Sequence, residues 1–177
     1  SELDTSEFQV IAPVAQIVLS AGDTVTCTYT NVQRGTINVV KETLPPGGSG
    51  FTFTDTVASP YAFTLDDGDT KSFTNVIPGS YAIAEGDPLP GYDLNTVTCV
   101  DSDAAGSLSS ANAAARGATV QLDPGETVTC TFANIERGTI IVDKVTDPPG
   151  HPQSFPFTTD GAGYDDFSLR DGDADDE

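Results

Sequence analysis

Three sets of residues could do chemistry. The first is the cysteines. Cys99 and Cys130 close two matching Thr-Val-Thr-Cys runs, 31 residues apart. Strand alternation puts Cys99 on one face with Val97, and Cys130 on one face with Val128 and Phe132. Two inward cysteines of one domain predict a disulfide; the alternative is a pair of buried thiols. Cys27 closes a third such run, Thr24-Val25-Thr26-Cys27. There is no C-x-x-C spacing, which argues against structural zinc. The second set is acidic. Asp66, Asp67 and Asp69 form one cluster, and Asp171, Asp173 and Asp175 form another that runs into Asp176 and Glu177. Clustered carboxylates suit Ca²⁺, the one cofactor the sequence suggests. Asp-Gly-Asp is equally ordinary hairpin-turn chemistry. The third set is polar residues on faces that should point inward. Lys41 follows Ile37 and Val39, Glu85 follows Tyr81 and Ile83, and Asn134 follows Val128, Cys130 and Phe132. An inward Lys must be paired or lose its charge, because a bare buried ammonium is very costly.

These side chains need strands to place them. The expected elements are the short alternating runs between turn signals: Thr36–Lys41, Phe51–Thr56, Tyr61–Leu65, Thr70–Asn75, Ser80–Glu85, Tyr92–Val100, Ala118–Leu122 and Glu126–Asn134. Pro45-Pro46-Gly47-Gly48, Pro78-Gly79 and Asp66-Asp67-Gly68-Asp69 supply turns. The Ala/Ser-rich stretch 101–117 reads as an exposed loop, with a short helix over Ser109–Ala115 as an option. Eight strands in so short a stretch predict an all-β fold, a two-sheet sandwich.

The sequence also repeats itself. VLSAGDTVTCTYTNVQRGTINVVK at 18–41 returns as QLDPGETVTCTFANIERGTIIVDK at 121–144. The period is 103 residues, the separation of Cys27 from Cys130. LPPGGSGFTF at 44–53 returns as DPPGHPQSFPF at 147–157, and YAFTLDDGD at 61–69 as YDDFSLRDGD at 164–173. The expected organisation is the C-terminal part of one repeat (1–34), a complete repeat (35–137) and the N-terminal part of the next (138–177). With no Met and both ends inside a repeat, the chain reads as a window from a tandem array. The other reading is a subunit whose head completes the tail of its neighbour. Only Ile135-Glu136-Arg137-Gly138 joins the last strand to the next first strand, so an array should be semi-rigid.

Composition narrows the function. Seven Lys+Arg stand against 27 Asp+Glu among 177 residues, a formal charge of −20. Such a surface repels nucleic-acid phosphates and anionic membrane faces. No apolar run reaches spanning length, so no membrane insertion is expected in this segment. The only His, His151, lies in a Pro-rich loop, and no G-x-S-x-G motif occurs. No enzymatic activity is expected. Thr, Val, Gly and Pro outweigh helix formers, as in extracellular β proteins.

The runs GTINVVK, SYAIAEGDPLPGY and TVTCTFAN resemble the collagen-adhesin B-type and pilin repeat domains of bacterial surface proteins. Those domains are prealbumin-like, immunoglobulin-like β-sandwiches. Tyr81-Ala82-Ile83-Ala84-Glu85, with Pro90-Gly91-Tyr92, is similar to their glutamate box. The resemblance implies a spontaneous isopeptide bond between a first-strand Lys and a last-strand Asn, assisted by a buried acid. Carried over, Lys41 attacks the Asn134 carboxamide and Glu85 moves the protons. Asn31 and Lys144 are the equivalents in the two partial repeats. The alternative is a buried Lys–Glu pair with Asn134 bonded locally. The cysteine pair departs from the commoner family pattern and lessens the need for a second crosslink. The implied function is a structural repeat of a cell-surface stalk, adhesin or filament, with neighbouring repeats or subunits head to tail as partners. The alternative is an adhesive module binding a host or matrix protein or a glycan through the 101–117 loop, Tyr61 and Tyr92.

Overall fold

The computed structural model describes residues 8–11, 14–87, 91–103, 105–160 and 164–175. The chain divides into two compact units, Ser1–Val32 and Gln33–Glu177. In the first, β1 (Phe8–Ile11) and β2 (Val14–Ile17) form an antiparallel hairpin.

Within the second unit, residues 35–136 form nine strands in two sheets. They are β3 (Gly35–Leu44), β4 (Phe51–Asp55), β5 (Ala62–Leu65), β6 (Thr70–Val76), β7 (Gly79–Glu85), β8 (Tyr92–Asp101), β9 (Ser110–Asn112), β10 (Gly117–Leu122) and β11 (Thr127–Glu136). One sheet runs β6-β3-β11-β8 and the other β5-β4-β7-β10-β9. All pairings are antiparallel except one, in which first strand β3 and last strand β11 run parallel, Thr36 opposite Thr127 through Leu44 opposite Ile135. The beginning of β3 and the end of β11 therefore lie at opposite poles.

Alternation builds the core. β3 buries Ile37, Val39 and Lys41, and β11 buries Val128, Cys130, Phe132 and Asn134. Phe51 and Phe53 of β4, Ile83 of β7 and Val120 of β10 face them from the other sheet. Phe53 stacks on Phe63 at 5.2 Å and meets Phe132 edge-on across the sandwich, also at 5.2 Å. Phe53→Ala removes both contacts and leaves a cavity; it should cost about 3–5 kcal/mol in a urea melt.

All eight expected strands form, several a residue or two longer. The 101–117 stretch differs from expectation. It holds strand β9 and no helix, because Ser110–Asn112 take β10 as a partner. It is also tied down: the Asp101 carboxylate accepts from the Ser109 amide and hydroxyl, and Asp123 accepts from the Ser107 amide. β5 starts at Ala62 rather than Tyr61, since Tyr61 sits at φ 62°, outside extended geometry.

Beyond β11, β12 (Val142–Asp143) pairs with β15 (Ala174–Asp175), and β13 (Phe155–Phe157) with β14 (Phe167–Leu169). Phe155 opposes Leu169 and Phe157 opposes Phe167, as Phe51 opposes Leu65 and Phe53 opposes Phe63. Phe157 and Phe167 stack at 5.2 Å, like Phe53 and Phe63.

Candidate functional site: a buried lysine, glutamate and asparagine

Three strands deliver the three polar residues to one place. β3 brings Lys41, β11 brings Asn134, and β7 brings Glu85 from the opposite sheet. Their relative exposures are 0%, 1% and 4%. Lys41 and Asn134 are near neighbours across the parallel ladder, where Lys41 opposes Phe132 and Thr43 opposes Asn134. Glu85 bridges them. Its Oε1 accepts from Asn134 Nδ2 at 3.0 Å and lies 3.8 Å from Lys41 Nζ.

The ammonium is held by weak acceptors. Nζ donates to the carbonyls of Glu42 at 2.7 Å and Phe132 at 3.3 Å, and stands 4.1 Å above the Phe51 ring. Burial pulls the Lys41 pKa below that of an ordinary lysine, against the opposing pull of Glu85. Burial likewise pushes the Glu85 carboxyl up, against Lys41 and the Asn134 hydrogen bond. Both shifts favour the uncharged pair, a free amine beside a carboxylic acid. Glu85 Oε2 and Asn134 Oδ1 are buried with no hydrogen-bond partner. The arrangement brings an amine, a carboxyl group and a carboxamide together among buried residues.

Lys144 sits in an equivalent half-site. Its Nζ donates to the Val145 carbonyl and stands 4.3 Å over the Phe155 ring, as Lys41 does with Glu42 and Phe51. Asn31, the other partial-repeat candidate, is exposed.

On the far side of β11, Cys130 opposes Cys99 of β8 and the two form a disulfide. Cys27 is a free, exposed cysteine. β11 is therefore flanked by the disulfide on one edge and by the Lys41 site on the other.

The acidic clusters bind their own backbone. Asp67 accepts from the Thr43 and Gly47 amides, Asp66 from Gly50, and Asp69 from Asp66. Asp171 does the same for Thr146 and Gly150, and Asp173 for Arg170. Among the described residues no group of three or more ligating side chains could hold a metal ion. The side chain of Asp175 lies outside the described residues, as do Asp176, Glu177 and Pro90 of the Glu85 segment. The two amides hold Asp67 and Asp171 below the usual carboxylate range. A depressed folded pKa stabilises above the ordinary carboxyl pKa and is lost as pH falls through the lowered value. Asp67→Ala should thus flatten the loss of stability below the ordinary carboxylate range, read as Tm against pH.

Sequence reasoning missed two contributors. Phe51 forms the roof over Lys41, and Asp67 pins the turn beside it; Gly68 of that turn, at φ 81°, donates its amide to the Lys41 carbonyl. The recurrence of Phe51 as Phe155 and of Asp67 as Asp171 was the available signal. Of the two tyrosines expected to be exposed, Tyr61 is, but Tyr92 is half-buried edge-on against Phe51 at 5.3 Å.

A family model described as a prealbumin-like fold domain, of the SpaA type, matches residues 37–136. The chain belongs to this family. The match begins at Ile37 of β3 and ends at Glu136 of β11, and so takes in every strand of both sheets and all three buried polar residues. Among solved structures, the SpaA-type chain is similar to a bacterial adhesin from Mobiluncus mulieris described as containing intramolecular disulfide, isopeptide and ester bond cross-links. Identity is 17% and the TM-score 0.41; the match covers 60% of this chain and 42% of that one. No curated protein matches.

Proposed function

We propose that residues 35–137 are one load-bearing repeat of an extracellular bacterial stalk, adhesin or filament, set between the tail of one repeat (1–34) and the head of the next (138–177). In this reading the repeat is locked by two covalent crosslinks, the Cys99–Cys130 disulfide and an isopeptide bond from Lys41 to Asn134. The observation that carries it is the burial of Lys41, Glu85 and Asn134 together at the parallel pair of first and last strands.

The step balances without any outside reagent. Lys41 Nζ, as the free amine, attacks Asn134 Cγ. Glu85, as the carboxylic acid, gives its proton to the departing Nδ2 and takes one back from Nζ. The Nζ–Cγ amide forms, the Cγ–Nδ2 bond breaks, and one ammonia leaves. Each molecule reacts once, so this is maturation and not turnover.

Trypsin provides the test. It cuts after Arg34, Lys71, Arg116 and Arg137, but not after a Lys41 whose amine is acylated. The expected product, after disulfide reduction, is a branched peptide of residues 35–71 joined to 117–137, lighter than their sum by one ammonia. Separate peptides with cleavage at Lys41 sink the bond. The tethered 101–117 stretch and the half-buried Tyr92 make the alternative, ligand capture through loops, the weaker reading.

A further inference from the structure

Arg34 and Arg137 hold the same place in the runs Val32-Gln33-Arg34-Gly35 and Ile135-Glu136-Arg137-Gly138, and no crosslink uses them. They make different contacts. Arg34 stands just before β3 and reaches forward, its Nη1 donating to the Asn75 carbonyl near the end of β6 at 2.9 Å. Arg137 stands just after β11 and reaches back. Its Nε donates to Asp93 Oδ2 at 2.8 Å, its Nη2 to Oδ1, and its backbone N–H to the Gly91 carbonyl at 2.6 Å. The first arginine shows what this position does to the repeat that follows. The second shows what it does to the repeat that precedes.

The two sets of contacts use different edges of the guanidinium. Asp93 occupies Nε and Nη2, while the Asn75 carbonyl occupies Nη1. A guanidinium carries five N–H donors in one rigid plane, so one side chain can serve both partners at once. We propose that this arginine is a shared clasp between consecutive repeats. Arg137 holds Asp93 of the preceding repeat through Nε and Nη2, and through Nη1 holds the carbonyl that matches Asn75 in the repeat beginning at Gly138. The partner is thus a second copy of this repeat, and the proposal rests on the tandem reading above.

The backbone supports it. A Cβ on Gly35 would stand 2.6 Å from the Glu126 carbonyl and 2.9 Å from Leu122, so the start of β3 is packed tightly against its own pole. The Arg137 amide is likewise fixed to Gly91 at the opposite pole. The free linker is then very short, and a planar clasp across it sets direction. Exposed ion pairs add little to folding stability. The effect belongs in the mutual orientation of repeats and not in Tm.

The test uses the full chain lengthened after Glu177, which matches Phe73, by a copy of its own residues 74–137, so that the third repeat is complete. NMR residual dipolar couplings then report one alignment tensor or two. The parent should show a single tensor shared by 35–137 and the repeat after it. Arg137→Ala and Asp93→Ala should split it into two of unequal magnitude with Tm unchanged. Arg137→Lys should split it as well, because an ammonium cannot span both edges. A single tensor surviving Arg137→Ala overturns the clasp, as do two tensors in the parent. An added segment that stays unfolded overturns the clasp and the tandem reading together, whereas a folded third repeat with independent alignment overturns the clasp alone.

Discussion

Lys41→Ala is expected to keep the ammonia that the parent chain loses, and to lower its thermal midpoint by tens of degrees. A bond from residue 41 to residue 134 closes nearly the whole repeat. By chain entropy a loop of that size contributes about 4–5 kcal/mol. At roughly 4–8 °C per kcal/mol for a domain this small, the midpoint should fall by about 20–35 °C. Truncation alone also opens a cavity beneath Phe51, so a second variant is needed. Glu85→Gln keeps the volume but cannot relay the proton, and should retain most of the ammonia while Lys41 and Asn134 stay in place. Intact mass under reducing conditions reads both. A parent mass equal to the bare sequence would falsify the bond, and a Lys41→Ala midpoint within a few degrees of the parent would show that it carries no stability.

The pH dependence of bond formation follows from the same pair. The reactive form, free amine beside carboxylic acid, carries as many protons as the ammonium–carboxylate pair. Burial favours the uncharged form, since it lowers Lys41 and raises Glu85. Moving one proton within the pair exchanges none with solvent, so the rate should be flat around neutrality. It should fall in acid, where Lys41 is protonated beside a neutral Glu85, and in base, where Glu85 is ionised beside a free amine.

Strand faces were legible in the sequence because period-two alternation is a local property. Ile37, Val39 and Lys41 read as one inward set from their spacing alone, and so did Val128, Cys130, Phe132 and Asn134. Inwardness made the three polar residues conspicuous, since nothing in a core tolerates an unexplained Lys. That the three converge depended on which strands pair. The parallel pairing of β3 with β11 places Lys41 beside Asn134, and spacing does not encode it. β9 was invisible for a related reason. All three of its residues are exposed, so no alternation betrays it, and its pairing with β10 alone makes it a strand. The acidic turns were ambiguous because their partners are remote amides: Asp67 reaches back to Thr43 and Gly47, which no local pattern reveals.

Pulling on the repeat should give different results for each combination of crosslinks. Force enters at Gly35 and leaves at Glu136, at opposite poles, so it shears the parallel β3–β11 ladder. The disulfide joins β8 to β11 and stands outside that ladder. It cannot resist the first rupture, and only limits how much chain is released afterwards. The proposed amide lies within the ladder. Load would pass along β3 to Lys41, across to Asn134 and out along the end of β11, leaving residues 42–133 unloaded. In single-molecule force spectroscopy the parent should therefore show no unfolding step from this repeat, with or without reductant. Lys41→Ala should unfold. Reductant should then lengthen its step by the 31 residues sealed between Cys99 and Cys130, about 110 Å of extended chain. A parent that extends like Lys41→Ala would leave the disulfide as the one covalent lock in the repeat. A Lys41→Ala step unaffected by reductant would remove the disulfide from the account instead.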